Sequence, residues 1–424
     1  MKRSLTSRRS FVAKTAAATA ALSLSTAIGN RASANDRIGI GVTGTGGRGN
    51  SHLSMLKRLK EEGENIEIVA VCDIYRPRLE NAAKLYNTTA YDDHRDLLED
   101  KNVDMVCIAT PDHIHGYQAI EAILAGKDIY CEKPITHWRQ FDLTKRLLKV
   151  VEENDRVFQL GTQAMSDSVW QQMKTLVQQG TIGQPLFGET GFFRIGDWGE
   201  RGMKIDDPDA KPGKDLNWEA FLGDSPPRPF SVDRFFRWRL FEDYAGGPVT
   251  DLYPHCLTQV IDILGVDMPE SVVAQGGIHR YDYELRDVPD TFNLIAQYPE
   301  KVTISVLGTQ ANDYNTTVMR GAGQRTPVIR GWEGSLTIAA NNKEIIFTPI
   351  KEKGAPIPQR FTIERSEDNL EHWKNLFQCS RERSKSTWSP MDLAYRTQTV
   401  LQMAMAAYKR AKTIKYDKSN MSFA

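Results

Sequence analysis

Cysteine is scarce in this chain: there are five among 424 residues, an odd number, with no CxxC spacing and no His/Cys cluster. No disulfide framework and no structural zinc site is visible, because each needs paired or closely spaced ligands. Cys72, Cys107 and Cys131 instead fall in or beside apolar runs and read as core thiols. An excess of one charge is also missing, since 54 Lys+Arg balance 54 Asp+Glu. Six of the basic residues lie in the first 34 positions, which hold no acid, so the rest of the chain is mildly acidic. A nucleic-acid binder needs a concentrated cationic face, and the sequence argues against one. There is no long hydrophobic run: Ala13 to Ile28 is diluted by Thr15, Thr19, Ser23, Ser25 and Thr26, too polar for a span of about 20 apolar residues. Repeats and low-complexity stretches are absent too. What remains is a globular composition with length for two domains.

The first 34 residues read as an address. Ser7-Arg8-Arg9-Ser10-Phe11-Val12 precedes the mild apolar run, and Ala32-Ser33-Ala34 follows as a small-x-small cleavage site. That order is the plan of an export signal, and paired arginines resemble the twin-arginine type, which carries proteins folded beforehand in a reducing compartment. Residues 1–34 are therefore expected to direct export, with the periplasm as destination.

From Arg37 apolar strands alternate with amphipathic helices. Ile38 to Val42, Ile66 to Cys72, Val103 to Ala109 and Asp128 to Cys131 read as strands; Ser51 to Glu62, Arg78 to Tyr86 and Tyr117 to Ala125 read as helices. Continuous Val/Ile-rich runs separated by helices predict a parallel sheet covered on both faces, a doubly wound α/β domain over 35–160. Its first turn carries Gly44-Thr45-Gly46-Gly47-Arg48-Gly49, a G-x-G-x-x-G between strand and helix. Glycines there let the backbone approach a pyrophosphate seated on the helix amides, the Rossmann arrangement. Asp73 ends the second strand, where a carboxylate can accept the ribose hydroxyls of an adenosine or simply cap the next helix. Repulsion of a 2′-phosphate by Asp73 favours NAD over NADP, and Arg76 keeps NADP open.

Beyond residue 160 a helix at Ser168 to Gly180 leads to long alternating runs, from Leu186–Ile195 to Phe361–Arg365. They predict an α+β second domain, 161–424, with a large and mainly antiparallel sheet. The Gly/Asp/Pro-rich stretch 196–229 is long for a loop and reads as a cover over a site.

Asp251 and His255 are four apart, the spacing that puts two side chains on one helix face. A carboxylate beside an imidazole can orient a proton acceptor, and it can equally be a structural pair. Pro254 between them is expected to bend that segment.

Cys131-Glu132-Lys133-Pro134, preceded by Thr110-Pro111-Asp112-His113-Ile114-His115 and Ala125-Gly126-Lys127-Asp128, and followed by Gly246-Gly247-Pro248-Val249-Thr250-Asp251-Leu252-Tyr253-Pro254-His255, resembles the Gfo/Idh/MocA family of oxidoreductases. The resemblance implies that Lys133 hydrogen-bonds the reacting hydroxyl or carbonyl and that His255, assisted by Asp251, takes the hydroxyl proton as hydride leaves for a nicotinamide. It places Gly44, Gly46, Arg48, Gly49, Asp73, Pro111, His115 and Glu132 around the cofactor. Gln163, Trp238, Arg239 and Tyr253 are implied contacts for sugar hydroxyls. A sugar, sugar derivative or cyclitol is the implied substrate, and a homodimer or tetramer the implied assembly. An exported enzyme finds little free NAD, so the cofactor is expected to be loaded before export and recycled in place. Two other classes stay open: an NAD-dependent glycoside-cleaving enzyme working by oxidation and elimination, and a noncatalytic sugar- or nucleotide-binding protein.

Overall fold

The computed structural model describes residues 37–320, 323–351, 357–365 and 369–424, and the expected export signal at 1–34 lies outside the described residues. Six strands make the first sheet: β1 (Ile38–Thr43), β2 (Ile66–Cys72), β3 (Thr89–Tyr91), β4 (Met105–Ile108), β5 (Asp128–Cys131) and β6 (Phe158–Leu160). They run parallel in the order β3-β2-β1-β4-β5-β6. Every residue of β1, β4 and β5 is buried, which is why these strands are unbroken apolar runs rather than alternating ones. The connecting helices are α1 (Gly47–Glu61), α2 (Arg76–Tyr86), α3 (His94–Glu99), α4 (Asp112–Leu124) and α5 (Phe141–Glu153). On α1, Leu53, Leu56 and Leu59 face the sheet while Lys57 and Lys60 face water. Strand order reverses between β1 and β4, and their carboxyl ends open onto a crevice, the usual ligand position in such sheets.

The second sheet follows α6 (Ser168–Gln178) and begins with β7 (Pro185–Phe193); α7 (Trp218–Leu222), α8 (Val232–Phe236), α9 (Pro248–Asp251) and α10 (Tyr253–Leu264) then intervene. Next come β8 (Ser271–Gly277), β9 (Thr291–Gln297), β10 (Thr303–Thr309), β11 (Met319–Arg320), β12 (Gln324–Gly331), β13 (Gly334–Ile338), β14 (Glu344–Pro349) and β15 (Gln359–Thr362). Pairing is antiparallel except between β7 and β10. Helix α10 buries Leu257, Val260, Ile261 and Leu264 in one cluster with Ile304 and Val306 of β10. That packing sets the height of the residues before α10 over the first sheet.

The tail of the chain does not stay in the second domain. Helix α11 (Asn369–Glu382) packs Leu370, Trp373, Leu376 and Phe377 into the same cluster as Ile40, Leu53 and Tyr130 of the nucleotide domain. Helix α12 (Met391–Arg410) places Met391, Ala394 and Tyr395 against that domain and Val400 to Met405 under the second sheet. The expected boundary at 160 thus describes the order of the chain but not the composition of the cores. All five cysteines are free and buried. Among the described residues no helix is long and apolar enough to cross a membrane, and no His/Cys/Asp/Glu group suits a metal ion.

Candidate active site

The turn from β1 into α1 is held open by its glycines. Gly44 has φ +81°, and a methyl added to it would lie 2.7 Å from the Ala109 carbonyl oxygen; one added to Gly49 would lie 1.8 Å from the Gly44 oxygen. Gly46 and Gly47 instead border a cleft of about 1650 Å³, and a methyl on Gly47 would have no neighbour within 4 Å. No side chain caps α1 and no acid occupies its first turn, so its leading amides are left for an anion. Asp73 lines the cleft, but its carboxylate already accepts hydrogen bonds from Thr45 N at 2.7 Å, Thr45 Oγ1 at 2.9 Å and Tyr75 N at 2.9 Å. It braces the glycine turn as well as edging the crevice. Arg76 is drawn to Asp215, Asp92 and Glu80, three acids that compete for the charge a 2′-phosphate would need. Pro111 precedes α4 on the wall of the cleft, and His115 ties the loops together, its two ring nitrogens 2.6 Å from the Pro134 and Thr110 carbonyl oxygens.

Arg48 lines the cleft, as expected, and is also anchored on its inner wall, where its Nε donates to Glu132 Oε1 at 2.7 Å. Glu132 Oε1 also accepts from His52 Nε2 and from Gln163 Nε2, each at 2.8 Å. Trp373 Nε1 donates to His52 Nδ1, which fixes the proton of a neutral His52 on Nε2. Burial pushes the Glu132 carboxyl up, but Arg48 and the His52 hydrogen bond outweigh it and hold the group well below the ordinary carboxylate range. Gln163 is therefore a buried partner of Glu132 and Tyr130 rather than a sugar contact. Tyr253 is also corrected: it is fully buried, and its hydroxyl donates to the Phe292 carbonyl.

Lys133, at the carboxyl end of β5, reaches across to α9. Its Nζ lies 2.8 Å from Asp251 Oδ1 and 2.5 Å from the Asp251 carbonyl oxygen. Arg239 Nε stands 3.4 Å from Oδ1, and Arg194 Nη2 4.0 Å from Oδ2. Burial raises the Asp251 carboxyl, yet Lys133, Arg239 and Arg194 together hold it well below the usual range. The expected pairing of Asp251 with His255 is replaced by one with Lys133, and Asp251 accepts no hydrogen bond from the imidazole. Three cations attract the carboxylate more strongly than a neutral imidazole can. The helix also breaks at Leu252, with Pro254 in the first turn of α10, where its missing N–H costs nothing, so the proline starts a helix instead of bending one. His255 stays half-buried in the field of Lys133, Glu132 and Asp251, and burial followed by Lys133 holds its imidazole down to about 3. The imidazole is thereby kept neutral, free to accept a proton but only weakly basic while the Lys133 charge faces it.

Arg239 and Trp238 both line the cleft, the guanidinium carbon 4.6 Å from the indole centroid. Trp238 also belongs to an aromatic cluster with Tyr75, Trp218, Phe235 and Tyr244, so packing is part of its role. Three further residues had no individual signal in the sequence. Asp112, the first residue of α4, accepts from Thr250 Oγ1 at 3.1 Å, and burial pushes its carboxyl up to about 7. Arg194 and Glu200 flank the Asp251 side of the cluster, 3.9 Å apart. Residues 203–224 border the cleft at several points, as expected of a long covering loop.

Comparison with known proteins matches residues 38–162 to a family described as "Oxidoreductase family, NAD-binding Rossmann fold" and residues 219–337 to the GFO/IDH/MocA C-terminal domain. The two stretches, in order, make up more than half of the chain.

The chain belongs to the Gfo/Idh/MocA oxidoreductase family.

Among family relatives, an inositol 2-dehydrogenase of Salmonella typhimurium is 34% identical over 149 residues, 34% of this chain and 43% of that protein. A myo-inositol 2-dehydrogenase of Thermotoga maritima is 31% identical over 147 residues, 34% and 42% of the two chains. The match thus spans less than half the length of these relatives. Among solved structures, a levoglucosan dehydrogenase in complex with NADH and levoglucosan superposes with TM-score 0.68 at 16% identity, covering 89% of this chain and 99% of that one. An NAD binding oxidoreductase from Klebsiella pneumoniae gives 0.66 at 18% identity, covering 90% and 100%. At these identities the likeness establishes the shared two-domain fold.

The Gfo/Idh/MocA nucleotide domain binds NAD, and the open face at Gly47 with the uncapped amides of α1 fits a dinucleotide. Gly47→Ala is expected to shift the unfolding midpoint by less than about 2 °C and to weaken NADH binding about tenfold, because its methyl stands only in the cleft. Gly49→Ala is expected to cost about 3 kcal/mol of stability, because its methyl collides with backbone. Thermal melts and NADH fluorescence titration of the two variants check the contrast.

Proposed function

We propose that this protein is an NAD-dependent oxidoreductase acting on a CH–OH group of a sugar, sugar derivative or cyclitol. The observation carrying the reading is Lys133, which lines the dinucleotide cleft and is fixed at 2.8 Å from Asp251, with the neutral imidazole of His255 in its electrostatic field. NAD, when bound, supplies the hydride acceptor. The amides of Gly46 and Gly47 and the wall at Asp73 and Pro111 would hold it. Lys133 directs its ammonium to the reacting oxygen and stabilises the negative charge that develops as the proton departs. A ring nitrogen of His255 accepts that proton. Asp251 holds Lys133 in place and Arg239 shares its charge, so the carboxylate orients the lysine rather than the histidine. The names of the inositol and levoglucosan dehydrogenases support a polyhydroxylated substrate.

The paired arginines of the first 34 residues support an exported, periplasmic protein that keeps its cofactor and recycles it in place. Val273 and Ile295 are cross-strand partners on adjacent strands β8 and β9, and both are exposed, which supports assembly through this face of the sheet as a homodimer or tetramer. The test is mass spectrometry of dinucleotide released from the purified protein, then addition of sugars, glycosides and cyclitols while absorbance at 340 nm is followed. Bound NAD(H) that responds to one class is the expected result. A protein that neither contains nor binds NAD, and reacts with nothing, overturns the reading. Glycoside cleavage without net reduction of NAD favours the elimination chemistry instead.

A further inference from the structure

Two arginines of α2 line the cleft, and the acids around them set them apart. Arg76 is held among Asp215, Asp92 and Glu80. Arg78 pairs with Asp206, whose Oδ2 accepts from Nε at 2.6 Å. Lys204 also reaches Asp206, at 3.4 Å, so this group of three keeps one positive charge. The far edge of the Arg78 guanidinium, Nη1 and Nη2, has no hydrogen-bond partner among the described residues. A methyl added to Gly46 would meet it, with Nη1 at 3.1 Å and Cζ at 3.7 Å. The free edge therefore stands over the second glycine of the turn, beside the uncapped start of α1.

Both halves of the chain fix that position. The guanidinium carbon lies 5.1 Å from the ring centroid of Phe236 and 5.8 Å from that of Tyr75. Asp206 belongs to the covering stretch, which is joined through its backbone to the end of β2. Arg76 N donates to the Asp215 carbonyl at 2.9 Å, Asn217 N donates to the Ile74 carbonyl at 3.1 Å, and Tyr75 and Leu216 form an antiparallel bridge. Tyr75, Leu216, Trp218 and Phe236 are buried in one cluster beside this seam. Met203, Lys204, Asp206, Gly213 and Leu216 line the cleft along the stretch, so residues 203–217 form one of its walls.

A partly exposed ion pair contributes little by itself. This one leaves a planar fork unused: with Nε turned to Asp206, the Nη1 and Nη2 edge remains, and that edge matches two oxygens of a phosphate. In a dinucleotide fold the second glycine is bare so that the pyrophosphate can approach the backbone. A donor in contact with Gly46 is therefore within reach of the same oxygens. We propose that Arg78 binds the pyrophosphate of NAD together with the leading amides of α1, and that Asp206 ties this clasp to residues 203–217, so that the bound dinucleotide holds the segment closed and leaves slowly. The clasp rests on NAD binding and not on the substrate or chemistry of the oxidoreductase reading.

The experiment mixes NADH-loaded protein with excess oxidised NAD and reads the release rate from the loss of cofactor fluorescence, for wild type, Arg78→Met and Arg78→Lys. Displacement of NADH by ADP-ribose and by adenosine is measured beside it. Arg78→Met is expected to release NADH about tenfold faster and to bind ADP-ribose about tenfold more weakly, the usual size of a lost hydrogen bond to a charged group. Adenosine carries no phosphate, and its affinity is expected to stay within about twofold. Arg78→Lys, a point charge without the fork, is expected to fall between wild type and Arg78→Met. Hydrogen exchange across 203–217 is expected to slow when NADH saturates wild type but not when it saturates Arg78→Met. An unchanged release rate, an equal loss for adenosine, or exchange that slows alike in both proteins would overturn the proposal. So would a wild-type preference for NADPH over NADH that Arg78→Met abolishes, because the guanidinium would then read a 2′-phosphate. Binding needs no turnover, so the expected results without any sugar response at 340 nm sink the oxidoreductase reading and leave the clasp standing. Normal turnover with an unchanged release rate sinks the clasp alone.

Discussion

Lys133→Met is expected to lower the rate of hydride transfer by about 10²- to 10³-fold, the usual loss when one preorganised donor to a developing oxyanion is removed. The argument rests on where the ammonium is held. Two oxygens of Asp251 fix Nζ, at 2.8 Å and 2.5 Å, so the lysine meets its substrate without a search through rotamers. The thioether of methionine fills similar space and donates nothing. The Asp251 carboxylate is not stranded by the change, because Arg239 at 3.4 Å and Arg194 at 4.0 Å remain, so the unfolding midpoint is expected to move little. Single-turnover absorbance at 340 nm with the responding sugar, beside an NADH titration, separates chemistry from cofactor binding. A rate within tenfold of wild type would remove Lys133 from the chemical step. Lys133→Arg is not a neutral control, since a planar fork cannot meet both oxygens as a compact ammonium does.

Glu132→Ala carries the second large effect, on stability. One buried carboxylate oxygen takes hydrogen bonds from Arg48, His52 and Gln163. Removing it leaves those donors facing a void, and breaking a buried ion pair from one side costs about 3–5 kcal/mol. The lower end of that range is expected because Arg48 keeps a third of its side chain exposed. A fall in unfolding midpoint of about 4 °C follows for a chain of this size. The pH dependence has a definite sign. A carboxyl whose folded value is depressed contributes stability above its unfolded value of 4.5 and loses it as the pH falls below that. The gap between wild type and Glu132→Ala is therefore expected to be full at pH 7 and to close on acidification below about pH 4.5. Thermal melts at both ends check it, and a gap unchanged at pH 3.5 would show that charge is not what the site contributes.

Much of the nucleotide half was legible in the residues. Strands buried on both faces must be continuously apolar, and the glycine turn can sit in only one place between β1 and α1. The antiparallel half was legible where one face meets the core, as along β9, whose burial alternates. Helix α11 was not, because an apolar stripe shows that a helix packs and not on what. The same limit explains the site. Asp251 and His255 were read together because four residues is a visible spacing, whereas the partner that Asp251 actually holds lies 118 residues away in the chain. Tyr253 and Gln163 carry polar tips that suit a sugar, but their burial against Phe292 and Glu132 comes from tertiary contacts. Arg194 and Glu200 sit at the mouth of a loop with no repeating pattern to draw attention to them.

The seating of α11 on the first sheet also orders events in time. Trp373 stacks on Tyr130 with ring centroids 4.2 Å apart and closes over His52, which lies 321 residues earlier in the chain. Domains generally fold as they leave the ribosome, amino-terminal part first. Here the nascent nucleotide domain has all six strands yet no roof until the far end of the chain arrives. The cover over His52, and through it the Glu132 wall, is completed only after synthesis is nearly over, so a chain cut short before Trp373 is expected to leave that wall unfinished.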